Sequence, residues 1–176
     1  MQREEHGKMK ELWGQIKELI EANEIDDVVK LCKNLNTEMY NDIVNKLIEE
    51  LKGTLNDNHR NTIAIVLGDL KCNNAINPLI ELIKNPKHKL CIGSLIYALQ
   101  ELDCGSVIKE ILPVLYKGNY EARYMLYTLL EIKIKEIPEQ DKKICIDLLQ
   151  KVKENLEERW EVVDDALDIL HGKYLF

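Results

Sequence analysis

Apolar residues recur along this chain at the three- and four-residue spacing of a one-faced α-helix, and the alternation typical of a strand is nearly absent. The first such segment runs over about 8–22. A short second one turns Val28, Val29 and Cys32 inward, and a third begins at Thr37 as its N-cap and stops at Gly53. The pattern predicts an all-α protein.

From Asp57 onward the apolar pattern repeats. Leu67 and Leu99 are 32 residues apart, and the same step separates Ala75 from Val107. A third copy of the first half follows at 128–132, after a step of 30. A period near 30 residues built from two short helices predicts a stack of hairpins, because each hairpin alone leaves an apolar face that its neighbour covers.

The stretch 57–115 carries a family resemblance. The first copy matches at Arg60, Leu67-Gly68-x-Leu70, Ala75-Ile76, Leu79 and Leu82-Ile83, and the second at Ala98-Leu99, Leu102, Val107-Ile108, Ile111 and Val114-Leu115. These positions resemble tandem HEAT repeats, particularly the bacterial kind first described in phycobilisome lyases. The chain departs from that pattern at Lys71-Cys72 and Asp103-Cys104, in place of the usual Gly-Asp, and at Ile92, in place of the usual Arg.

The resemblance implies a right-handed α-α superhelix, a HEAT/armadillo-like solenoid of about five helical hairpins. We expect one helical-repeat domain over 1–176, with N-terminal capping helices in 1–56, HEAT-like repeats in 57–155 and an acidic C-terminal capping helix in 156–176. The sequence leaves open whether the helices before Asp57 are a degenerate repeat or a separate cap.

Later helices are predicted over 120–135, 139–155 and 156–171. Their apolar spacing predicts inward stripes that include Ala122, Met125, Leu126, Leu129 and Ile132 in the first, Ile144, Leu148, Leu149 and Val152 in the second, and Leu156, Trp160, Val163, Leu167 and Leu170 in the last.

Composition narrows the function classes. The chain of 176 residues is 45% hydrophobic and 31% charged, and no apolar run approaches the roughly 20 residues that span a bilayer. The start of the chain lacks a signal-peptide pattern, so we expect a cytoplasmic protein that does not enter a membrane. The net charge of -7 argues against nucleic acid as the partner, because phosphate binding needs a basic surplus.

Motifs for chemistry are missing from the sequence. The five cysteines include no CxxC pair, and we expect them to be buried core residues. His59 and His88 fall in predicted loops and are expected to be solvated. We predict no metal, no cofactor and no catalytic residue, although a catalytic pair assembled only by the stack stays open.

Three surfaces are candidates for partner binding. The first is a ladder on the second helices of the hairpins, which line the concave face of HEAT-like stacks, and it includes Asn77, Glu81, Lys109 and Tyr116. An ordinary solvated face is the alternative interpretation.

The second surface is aromatic and the third is acidic. Tyr124 and Tyr127 share a helical stripe with Tyr120, and Tyr127 is the repeat equivalent of Tyr97; the alternative is that they fill gaps between hairpins. Residues 154–176 carry seven acidic and two basic side chains, hence -5, with Glu161, Asp165 and Asp168 on the acidic face of the last helix. The alternative there is the polar cap that every solenoid needs.

The leading hypothesis is a non-catalytic adaptor of HEAT-repeat type that binds another protein. An alternative is an immunity-type inhibitor that neutralises a toxic, basic enzyme. A third class, which the resemblance alone suggests, is a lyase or glycosylase-like HEAT enzyme.

Overall fold

The computed structural model describes residues 2–88, 91–155 and 161–173, with side chains described over 7–88, 91–154 and 163–173. Within these ranges the chain is all-helical, without a strand, and no helix is long and apolar enough to cross a membrane. The α-helices are α1 Gln2–Glu21, α2 Ile25–Lys33, α3 Thr37–Gly53, α4 Asp57–Asp69, α5 Ile76–Lys84, α6 Gly93–Ala98, α7 Ile108–Ile111, α8 Val114–Lys117, α9 Tyr120–Lys133, α10 Glu139–Asn155 and α11 Glu161–Leu170.

Three of these helices begin at an asparagine cap. The side-chain oxygens of Asn36, Asn56 and Asn119 accept hydrogen bonds from backbone N–H groups in the first turns of α3, α4 and α9, at 2.9, 3.2 and 2.9 Å. Each cap satisfies a backbone donor that the helix itself leaves free. Thr37, predicted as the cap of α3, is instead its first helical residue.

The two halves of each hairpin form separate rows. The first-half helices α4, α6 and α9 pack in succession, and α9 also contacts α11. The second-half helices α5, α7 and α10 contact one another in the same order. The helices of each row therefore contact one another in chain order.

Close approach between α4 and α6 depends on a glycine. A Cβ atom added to Gly68 would lie 2.7 Å from the carbonyl oxygen of Ala98 and 3.1 Å from its Cα. Because both atoms belong to backbone, no side-chain rotation can relieve such a contact. Gly68 thus sets how near the two helices lie.

The N-terminal helices join the same body. Both α1 and α2 contact α4, while α3 contacts α4 and α5. One buried apolar cluster runs from Ile16 in α1 to Leu170 in α11. The described helices are therefore continuous in packing, and the first three do not form a separate bundle.

Proline divides the second half of the second hairpin. The second half of the second repeat copy is not one continuous helix, because α7 ends at Ile111 and α8 begins at Val114. Pro113 lies between them and lacks the backbone N–H that a continuous helix needs.

Several predicted positions are wrong. Ile132 and Ile144 were placed in core stripes but are 50% and 46% exposed, because Lys133 and Cys145 occupy the inward positions beside them. The first helix begins at Gln2 rather than near residue 8. The predicted inward positions Leu156 and Trp160 lie outside the described residues.

Candidate binding surfaces

The outward side of α6 and α9 carries a cluster of tyrosines, which we name the tyrosine face: Tyr97, Tyr120, Tyr124 and Tyr127. The described residues include six exposed large hydrophobic side chains, and four of them lie on these two helices. Tyr97 is 46% exposed, Tyr120 78% and Tyr124 55%, whereas Tyr127 is half-buried. Exposure of this degree argues against gap filling for the first three, while Tyr127 does pack against the core.

Helical geometry explains why these tyrosines point outward. The buried residues of α9 include Ala122, Leu126, Leu129 and Lys133, which recur at three- and four-residue steps and form the inward stripe. Tyr120 and Tyr124 are one turn apart and lie on the other side of the helix.

Contacts between α6 and α9 place Tyr97 beside α9. A Cβ atom at Gly93 would touch the carboxylate of Glu121, so the first turns of the two helices face each other. A Cβ atom added to Gly105, after α6, would touch the backbone of Glu136, after α9. The chain segments 93–105 and 121–136 therefore run in the same direction. Tyr97, one turn after Gly93, therefore lies next to the turn of α9 that carries Tyr124.

Carboxylates surround the tyrosine face. Glu101, Glu121 and Glu131 are exposed, and Lys71 Nζ lies 3.8 Å from Glu101 Oε2 at the edge. Asp69, one repeat before Glu101, has a raised pKa, first through burial and then through the negative charges of Glu101 and Asp26.

The ladder on the second helices is less available than predicted. Asn77 and Glu81 are exposed, but Lys109 Nζ donates to Asp141 Oδ1 at 2.7 Å, and this aspartate is only 11% exposed. Lys109 and Asp141 are 32 residues apart in the sequence, so this ion pair joins α7 to α10. Tyr116 is half-buried under Lys117, whose Nζ lies 5.5 Å from the ring centroid.

The acidic C-terminal helix is partly neutralised within the chain. Asp168 Oδ1 accepts from Lys173 Nζ at 2.5 Å, and Asp164 pairs with Lys153. Asp165 is exposed. The side chain of Glu161 lies outside the described residues.

A second polar group joins α4 to the turn before α6. Buried Arg60 pairs with Asp57 and donates from Nη2 to the carbonyl oxygen of Thr54 at 2.6 Å. His88 Nδ1 lies 4.0 Å from Asp57 Oδ1, and the thiol of Cys91 hydrogen-bonds to the same carboxylate. The prediction that His59 and His88 are solvated is wrong, because their side chains are only 11% and 16% exposed.

This group does not favour nucleophilic chemistry. The hydrogen bond to Asp57, with burial, raises the pKa of the Cys91 thiol, which opposes formation of a reactive thiolate. Burial and the Arg60 charge lower the pKa of His88. No cluster of three metal-ligating side chains occurs within the described ranges.

Sequence reasoning missed a polar cavity of about 620 Å³ beside the start of α4. It is lined by Asn23, Asn56, Asn58 and Asn61, by Thr62, and by Ser94 of the next hairpin. The signal was present: the run 56–62 holds three asparagines, and Thr62 and Ser94 are a 32-residue step apart.

The comparisons with known proteins yield no match. No family model, no curated protein and no solved structure matches the chain.

Proposed function

We propose that this chain is a non-catalytic protein-binding module, a HEAT-like stack whose hairpins form a right-handed α-α superhelix. In this proposal the partner docks on the tyrosine face. The order of contacts along the two helix rows supports the stack, and the exposed tyrosines on two adjacent helices support the docking surface.

The proposal rests on the concentration of exposed aromatic side chains on α6 and α9. Monomeric proteins bury most large apolar groups, and contiguous exposed ones mark interaction sites. Tyrosine combines a large apolar ring with a hydroxyl that still reaches water, so it is enriched at the energetically dominant positions of interfaces. Of the other exposed large apolar residues that the structure describes, Leu55 lies in the turn between α3 and α4 and Ile144 lies in α10.

The charge around the tyrosines favours a basic partner. Glu131 lies two turns after Tyr124 on α9 and Glu101 follows Tyr97 by four residues, and arginine or lysine side chains pair with both carboxylates and tyrosine rings. A basic partner is also what an immunity-type inhibitor would bind, so the partner's identity separates that role from a general adaptor.

A cytoplasmic setting is part of the proposal. All five cysteines are free thiols, as suits a reducing compartment.

Affinity capture tests the proposal. The immobilised chain is exposed to native extract at low and high salt, and retained proteins are identified by mass spectrometry. We expect one specific protein, basic and held best at low salt, that is lost from the Tyr97→Ala/Tyr124→Ala double variant.

The Leu55→Ala/Ile144→Ala double variant is the matched control, because it also removes two exposed large apolar side chains, 96% and 46% exposed, from outside the face. It should retain the partner. A toxic enzyme as the retained protein would assign the inhibitor role. Absence of any retained protein, or equal loss from both double variants, would contradict docking on the tyrosine face.

A further inference from the structure

The polar cavity lies where three parts of the chain meet. The end of α1 and the turn at Asn23 form one wall, the first half of α4 another, and Ser94 of α6 the third. Its volume of about 620 Å³ falls within the usual range of ligand pockets, roughly 300–1,000 Å³. The cavity is built from distant segments that the stack brings together.

Asparagine side chains are held in place around this cavity. The hydroxyl of Thr62 lies 2.8 Å from Asn23 Oδ1 and 3.1 Å from the carbonyl oxygen of Asn58. Asn23 itself adopts φ 60°, a left-handed conformation that asparagine tolerates better than most residues. Asn56 Oδ1 is occupied by its capping bond to the His59 N–H.

The capping bond uses the oxygen of Asn56 and leaves its amide N–H groups without an acceptor in the part of the chain that is described, whereas the Thr62 hydroxyl has one proton and donates either to Asn23 or to the Asn58 carbonyl. The side-chain oxygen of Asn61 is an acceptor that lacks a donor: it is buried, and no donor lies within hydrogen-bond distance. An unsatisfied buried acceptor costs about 1–3 kcal/mol. The wall of the cavity therefore offers both donors and an acceptor.

The charge of the lining defines the ligand class. Among the described residues that line the cavity there is no lysine or arginine, and Glu21 contributes the only carboxylate. The one lining ring that could carry a positive charge, His59, has its Nε2 3.4 Å from Glu50 Oε1, so an anion such as phosphate would find no unpaired cation among the described lining residues. Ile20 and Ile65 supply apolar contacts on either side of the amides.

We propose that this cavity binds an uncharged peptide segment through paired amide hydrogen bonds. A peptide group presents one donor and one acceptor, which an asparagine amide matches with its own acceptor and donors. The segment is either a free peptide or a loop of the protein that docks on the tyrosine face, since Ser94 and Tyr97 share one side of α6. Only the second source rests on the proposed function.

Nuclear magnetic resonance on the free chain tests this proposal. The probe is the capped neutral peptide acetyl-Ser-Asn-Gly-amide, titrated to about 10 mM, because a few amide hydrogen bonds correspond to a Kd on the order of 1 mM. We expect shifts confined to Asn58, Asn61, Thr62 and Ser94. Asn58→Ala, at an exposed position that the fold does not need, should weaken the binding at least about fivefold, or roughly 1 kcal/mol.

Control variants and alternative ligands distinguish failure of the cavity from failure of the tyrosine face. Asn74→Ala, an exposed asparagine outside the cavity, and Tyr97→Ala should leave the peptide shifts unchanged, so failure of the tyrosine face and failure of the cavity are separate results. Cellobiose or inorganic phosphate shifting the same residues more strongly than the peptide would overturn the ligand class. No shift with any probe would overturn the site.

The source of the peptide follows from the variants. If the segment belongs to the docked partner, Asn58→Ala also weakens capture of that partner. If the peptide is free, capture is unchanged while peptide binding is lost. Either result retains the cavity as a peptide site and assigns its occupant.

Discussion

Replacing Gly68 by alanine tests the distance between α4 and α6. The added Cβ would lie 2.7, 3.1 and 3.3 Å from the backbone O, Cα and C atoms of Ala98, where ordinary contacts begin near 3.4 Å. The helices must therefore separate by several tenths of an ångström. Overpacking of this kind costs about 1–3 kcal/mol, and a backbone neighbour places the cost near the upper end.

Helix propensity acts in the other direction. Alanine is favoured over glycine inside a helix by about 1 kcal/mol, so the expected net loss for Gly68→Ala is about 2 kcal/mol. Gly14→Ala is the matched control. Gly14 is exposed within α1 and nothing lies within 4 Å of its added Cβ, so this variant should gain about 1 kcal/mol or slightly less.

Urea unfolding followed by far-ultraviolet circular dichroism measures both variants. We expect changes of opposite sign, separated by about 3 kcal/mol, and each kcal/mol moves the Tm by roughly 2–4 °C in a chain of this size. If Gly68→Ala is as stabilising as Gly14→Ala, then α4 and α6 do not pack at the described distance, and the close packing of these two helices is refuted.

Three further predictions concern polar groups. Asp69→Asn should raise the free energy of unfolding at pH 7. The pKa of Asp69 in the folded chain is raised above 3.8, so the ionised carboxylate destabilises the fold. Below about pH 3.8 this carboxyl is protonated in both the folded and the unfolded chain, so the gain in stability should disappear. Urea titrations at both pH values check this, and an equal gain at both would contradict it. Arg60→Met should lower stability by about 1–3 kcal/mol, because it leaves the Thr54 carbonyl without its donor; unchanged unfolding in urea would refute that role. Native protein should offer one accessible thiol to a disulfide reagent, that of half-buried Cys91, and this thiol should react slowly because the hydrogen bond to Asp57 and burial raise its pKa. The four buried cysteines should react only after unfolding; burial raises the pKa of Cys32, Cys104 and Cys145 to about 11. Rapid reaction of more than one thiol would show that the described core is open.

The helices and their order could be predicted because they depend on local spacing. The periodicity of apolar residues located α3, α9 and α10 closely. The tyrosine face was accessible to the same reasoning, since helical spacing alone separates Tyr124 from the core.

Positions that depend on the orientation of a turn could not be predicted. His88 is half-buried because the turn at 86–88 brings it to Asp57, and no local pattern indicates that contact. Ile132 is exposed because the end of α9 places Lys133 inward beside it. The asparagine run at 56–62 is visible in the sequence, but the cavity also needs Asn23 and Ser94 to meet that run, which no local pattern indicates.

Calorimetric titration with the captured partner measures how much the tyrosine face contributes to binding. A tyrosine at the centre of an interface contributes about 2 kcal/mol or more, which is roughly 30-fold in Kd. We predict that Tyr97→Ala and Tyr124→Ala each weaken binding by about that factor, while the Leu55→Ala/Ile144→Ala control stays within about threefold of the unaltered chain. Unchanged affinity in both tyrosine variants, at unchanged stability, would show that the partner binds elsewhere.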